Sequence, residues 1–95
     1  MLMGLRTTMT DLHPLVWRTI VRMSLDEPTR VGLESLLRWV FDIEPTMAAA
    51  GLGSARPFLA MLETLPLLPG EEPMRAEIRN TVLMRVFGEQ ASASV

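Results

Sequence analysis

Apolar residues recur along this chain at helical spacing, and proline and glycine divide them into four runs. In the first run, residues 11–24, Leu12, Leu15, Val16, Thr19, Ile20 and Met23 fall at i, i+3, i+4, i+7, i+8 and i+11. That spacing predicts a helix, with Thr10 or Asp11 as its cap and Pro14 in its first turn. Trp17 and Val21 lie outside the stripe, so the apolar arc exceeds half the circumference. Only Arg18 and Arg22 mark a wet side, and the helix is expected to bury two faces.

The second run, residues 27–42, opens on Asp26-Glu27-Pro28: an N-cap, then residues suited to a first turn. Leu33, Leu36, Leu37, Val40 and Phe41 form its apolar stripe, flanked by Trp39 and Ile43. Arg30, Glu34, Arg38 and Asp42 follow one another at four-residue intervals. Such an alternating ladder adds a few tenths of a kcal/mol per pair and reads as a solvated face. Pro45 is expected to end the helix. Thr46–Ala50, closed by Gly51, suits a short fifth helix, and Ser54 is placed to cap the third run at 55–65. There Phe58, Leu59, Met61, Leu62 and Leu65 are apolar, and Pro66 stops the helix. Pro69-Gly70 has the order of a type II turn.

The fourth run, 73–87, begins after Glu71-Glu72 and ends at Gly88. Its rows are Ile78, Val82 and Val86, and Leu83 and Phe87. The β-branched residues of 81–87 also suit a strand, but a lone strand has no partner here, so helix is the better reading. The expected fold is all-α: a compact bundle of four helices at about 11–24, 27–42, 55–65 and 73–87, with a short fifth at 46–50. Residues 1–9 are expected to be a flexible N-terminus, 10–88 a single helical domain and 89–95 a disordered tail. Met1, Met3 and Met9 each suit a start codon.

Composition narrows the chemistry more than the fold. The chain has 95 residues, 48% of them hydrophobic, and no cysteine. Disulfides, thiolate nucleophiles and Cys-ligated zinc are therefore excluded for it. All nine basic residues are arginine, which removes Schiff-base and phosphate-loop lysines and marks a GC-rich coding sequence, as expected of a bacterial source. A mean hydropathy of +0.25 is high for a small monomer: either some apolar surface is hidden in an oligomer or complex, or a good deal of it lies exposed. No run has the length of a signal peptide or a membrane span, so the expected location is cytoplasmic.

Each candidate for chemistry has a plainer reading. His13, beside Asp11, suggests an acid–base pair but lacks a nucleophile or metal set, and reads as a first-turn surface residue. Glu71, Glu72 and Glu77 suggest a cation site, but the first two are better explained as helix-start residues. Gly51-Leu52-Gly53-Ser54 lacks the strand, third glycine and lysine of a phosphate loop. Gly32-Leu33-Glu34-Ser35-Leu36 resembles the Asp-Ser-Leu attachment site of acyl carrier proteins, small acidic four-helix proteins. The resemblance implies phosphopantetheine attachment at Ser35. It covers one short string, with Glu34 in place of Asp, and it sets Ser35 inside a helix, whereas the family's serine opens one. A helix-surface serine is the plainer reading.

Binding is what remains. Trp17, Val21, Trp39, Leu83 and Phe87 are the candidate protein-contact residues, because large apolar side chains at a helix margin anchor interfaces. In a bundle this small, the same tryptophans also serve as core. Arg75 and Arg79 form a candidate basic patch on the last helix. The expected function is a non-enzymatic protein–protein interaction module: an adaptor, small subunit or partner chaperone. It would bury an apolar helix face on another protein or in a homo-oligomer, with no cofactor, metal, membrane or small-molecule substrate. The alternative is a small helical nucleic-acid-binding regulator using Arg75 and Arg79. The net charge of −2 works against it, since such proteins displace counterions with a basic excess.

Overall fold

The computed structural model describes residues 12–88. The expectations for residues 1–9 and 89–95, and the capping roles of Thr10 and Asp11, lie outside that range. Within it the chain forms four α-helices: α1 (Pro14–Met23), α2 (Glu27–Val40), α3 (Ala55–Thr64) and α4 (Glu72–Phe87). Two turns of 3-10 helix (Ala49–Ser54) lead into α3, and no strand occurs among the described residues. The all-α bundle expected from the hydrophobic pattern is the fold observed.

The helix boundaries follow from local chemistry. α1 begins at Pro14 because His13 is its cap: the imidazole Nδ1 accepts the Leu15 N–H at 2.9 Å. It ends at Ser24, in the left-handed conformation at φ 53°. Asp26 caps α2 by accepting the Thr29 N–H at 3.3 Å, and the Thr29 side chain together with that N–H holds its carboxyl below the ordinary aspartate range. α2 ends at Val40 rather than Asp42, before Pro45 is reached. Asp42 adopts φ 66°, and the N–H groups of Ile43 and Glu44 both return to the Arg38 carbonyl, at 2.7 and 3.1 Å. Leu65 is extended before Pro66 (ψ 131°), as the proline ring requires. Gly70 at φ 88° closes a turn in which the Glu71 N–H meets the Leu68 carbonyl at 3.1 Å. Gly88 caps α4 at φ 68°.

The short fifth helix differs from expectation. Residues 43–46 are bends, and the helical segment begins only at Ala49 and is 3-10 rather than α. Gly51 does not close it but sits buried inside it. The reason is a close backbone approach to α2: a Cβ on Gly51 would lie 2.4 Å from the Gly32 carbonyl oxygen and 2.7 Å from the Leu36 Cβ. Ser54 occupies the residue before α3 without capping it through its side chain.

One hydrophobic core joins the four helices. It comprises Leu12, Leu15, Val16 and Ile20 from the α1 region, Leu33, Leu36, Leu37 and Val40 from α2, Ala55, Phe58, Leu62 and Leu65 from α3, and Ile78 and Val82 from α4. α3 packs against α1, α4 and the 3-10 turn, and α2 against that turn and α4. Two expectations are corrected here. α1 buries one face, not two: Leu15, Val16, Thr19 and Ile20 are enclosed, Trp17 is half-buried and Val21 is 69% exposed. The charge ladder of α2 is not a wholly solvated face either. Glu34 is buried, bonded to Arg30, and Asp42 pairs across the bundle with Arg85. With partners on two sides, α2 leaves little of its circumference to water.

Candidate interaction surface

The five candidate contact residues separate into two places. Trp17 and Val21, one turn apart on α1, line an open groove of about 430 Å³ with Arg18, Arg22, Leu65 and Pro66. The α1 pattern places Trp17 and Val21 beside the buried stripe. The opposite wall exists because Pro66 ends α3 and turns the chain along α1. Trp39, Leu83 and Phe87 stand elsewhere. The Arg85 guanidinium lies 4.4 Å from the centre of the Trp39 ring, and Arg56 lies 4.0 Å from that of Phe87. Arg85 also bonds the Asp42 carboxylate at 2.7 Å and the Trp39 carbonyl at 3.3 Å. Leu83 is half-buried on α4. Arg56 is near the start of α3 and Leu65 follows its end, so the two aromatic sites lie toward opposite ends of that helix.

Ion pairs fix the frame of the groove. Arg18 donates two hydrogen bonds to Glu71, at 2.7 and 3.1 Å, joining α1 to the residue before α4 across 53 positions of sequence. The Glu71 carboxylate also accepts the Leu68 N–H at 2.8 Å. The fork from Arg18, aided by that N–H, holds the Glu71 carboxyl below the ordinary glutamate range and raises the Arg18 guanidinium. Glu71 is thus a clamp on the α3–α4 linker as well as a helix-start residue. The linker brings Leu68, 63% exposed, beside this clamp. Arg22 is exposed and has no hydrogen-bond or ion-pair partner among the described residues.

The basic-patch candidates are engaged with carboxylates and carbonyls. Arg75 bonds Glu72 at 2.7 and 2.9 Å and donates to the Glu63 carbonyl at 3.1 Å. Arg79 pairs with Glu63 at 3.0 Å. These bonds tie α4 to the end of α3.

The residues considered for chemistry are not gathered into one site, although His13 and Glu77 line the same cleft. His13 spends its Nδ1 on the α1 cap. Ser35 lies in the interior of α2. Glu72 is committed to Arg75, while Glu77 borders a second cleft of about 290 Å³ with His13, Phe41, Ile43 and Met74. Among the described residues no group of three or more His, Asp or Glu side chains is placed to hold a metal ion. No helix among them is long and apolar enough to cross a membrane.

Local pattern does not mark Leu65, Pro66 or the Arg18–Glu71 clamp as parts of one surface with Trp17 and Val21. Leu65 reads as core and Pro66 as a helix stop. A contact spanning 53 positions leaves no local periodicity. The usable signal was Leu67-Leu68 in a turn, where two leucines exceed what a solvated link requires. No family model, curated protein or solved structure matches this chain.

Proposed function

We propose that this protein is a small non-enzymatic interaction module, an adaptor or subunit that buries the uncovered face of α1 on another protein. One observation carries the reading. Val21 is 69% exposed on a helix whose other large apolar residues are enclosed or half-buried, and it lies beside an open apolar groove. Large side chains held at such a margin, with charged residues at the rim, have the anatomy of a docking patch. The arginines that would serve a nucleic-acid contact, Arg75 and Arg79, are instead bonded to Glu72 and Glu63, which favours the protein reading over the nucleic-acid one. A soluble cellular setting without cofactor or metal accompanies it.

The test compares the full chain with a Val21→Glu variant. Both are expected to show the same helical circular dichroism. Only the wild type should bind a hydrophobic dye and retain, in affinity capture, proteins that the variant loses. If the wild type stays monomeric at high concentration, binds no dye and retains the same proteins as the variant, the reading fails.

A further inference from the structure

The shape and charge of the groove restrict what fills it. We infer that its occupant is an amphipathic helix of a different protein, with apolar anchors over Trp17 and Val21 and a carboxylate facing Arg22. This inference rests on the docking role proposed above and specifies the partner.

Backbone chemistry selects a helix. An extended segment docks by adding a strand to unpaired N–H and C=O groups. The lining residues offer no free N–H donor to such a segment. On α1 the Trp17 N–H meets the His13 carbonyl at 3.1 Å, and the N–H groups after it are bonded within the helix. On the other wall, the Leu65 N–H is used by the Leu62 carbonyl at 3.3 Å and Pro66 has no N–H. An occupant must satisfy its own backbone, as a helix does, and offer side chains alone. Trp17 and Val21, one turn apart, present a ridge against which residues spaced at i, i+3, i+4 and i+7 pack.

Charge selects a carboxylate and a foreign chain. The α1 side of the groove carries Arg18 and Arg22. Arg18 is neutralised by Glu71, while Arg22 is exposed and unpaired among the described residues. α1 contains no acidic residue. A two-fold contact between copies through this face would set arginines against their own images with no counter-charge on either helix. An acidic helix from another protein removes that repulsion and supplies the missing partner.

The experiment is selection of a displayed library of helical peptides on the immobilised full chain. The enriched peptides are then synthesised and measured on wild type, Val21→Glu and Arg22→Glu, each variant first shown to keep wild-type circular dichroism and melting temperature. Enriched sequences should carry apolar residues at three- and four-residue spacing and an excess of Asp and Glu. They should bind each variant at least about tenfold more weakly. Selection on Arg22→Glu should turn the excess to Lys and Arg. Peptides that depend on Val21 but carry no acidic excess and ignore Arg22→Glu would overturn the inference while leaving the docking role standing. Self-association of the wild type that Val21→Glu abolishes would likewise overturn it in favour of a second copy. No enrichment, together with identical protein capture by wild type and Val21→Glu, would remove the inference and the docking role together.

Discussion

The two tryptophans sit in contrasting surroundings at the margin of one core. Trp39 lies under Arg85, whose guanidinium stacks on the indole, reaches Asp42 and donates to the Trp39 carbonyl, so three contacts lock one side chain over the ring. Phe87 is covered in the same way by Arg56. Trp17 forms the wall of an open groove with exposed Val21 beside it. At the first end of α3 the bundle uses its arginines to cover aromatic surface. At the other, Arg18 is drawn aside by Glu71 to brace the linker. Apolar side chains at a helix margin are therefore equivalent in sequence and different in the fold: Val21 stands 69% exposed, whereas Trp39 and Phe87 each carry a guanidinium over the ring.

The strongest way to break the closed end is at Gly51. A Cβ there meets the backbone of Gly32, which cannot swing aside as a flexible side chain can. Gly51→Ala should cost about 3 kcal/mol, the upper range for overpacking, and lower the melting temperature by about 15 °C. Thermal unfolding followed by circular dichroism checks this. A loss confined to a degree or two would mean that α2 and the 3-10 turn are not packed as closely as described.

Next in size is Arg85→Ala, which removes the stacking on Trp39 and two hydrogen bonds. Since Asp42 is largely exposed, the loss should be about 1–2 kcal/mol. In a Trp17→Phe background the remaining Trp39 emission should shift to the red as water reaches the ring. An unchanged spectrum would show that the guanidinium does not shield it.

These two positions also show what local pattern could and could not convey. Four helices are legible because each carries an apolar stripe and a capping residue or early proline, and α3 and α4 also carry a stop at Pro66 and Gly88. α2 ends two residues before the apolar pattern does because the left-handed backbone at Asp42 is set by hydrogen bonds to the Arg38 carbonyl and by Arg85, 43 positions away. Gly51 read as a helix stop because glycine serves equally for a cap and for a close backbone approach, and only the neighbour decides. In the groove, Trp17 and Val21 were legible as residues beyond the buried stripe. Leu65 and Pro66 were not, since no local pattern places the end of α3 against α1. Arg79 reads as basic because its partner Glu63 lies on another helix, whereas the carboxylate that Arg75 meets, Glu72, stands three residues before it on α4.

A smaller effect sharpens the open end. The Glu71 carboxyl is held below its ordinary range in the fold by Arg18 and the Leu68 N–H. A group with a lowered folded pKa contributes stability above its unfolded value, about 4.3 for glutamate. That contribution is lost as pH falls through the lower folded value. Glu71→Gln should therefore lower the melting temperature modestly at neutral pH and flatten its fall below about pH 4.3. Identical acid limbs for variant and wild type would show that the clamp does not stabilise the fold. Asp26, lowered by its bonds from Thr29, remains in both proteins and contributes to the residual slope.

The smallest expected change in stability belongs to Val21→Glu. The side chain already faces water, and substitutions at such sites usually stay within about 0.5 kcal/mol. Its melting temperature should match the wild type within about 3 °C, while protein capture and dye binding fall. Arg85→Ala should do the reverse, lowering the melting temperature and leaving capture unchanged. This crossed result is the measurement that separates the two ends. Covered aromatic surface contributes to folding because folding itself removes it from water. Uncovered surface contributes nothing to folding until a partner arrives, and its free energy remains available for binding. If Val21→Glu instead destabilised the chain by several kcal/mol with no change in capture, the groove would belong to the core, and α1 would bury both its faces after all.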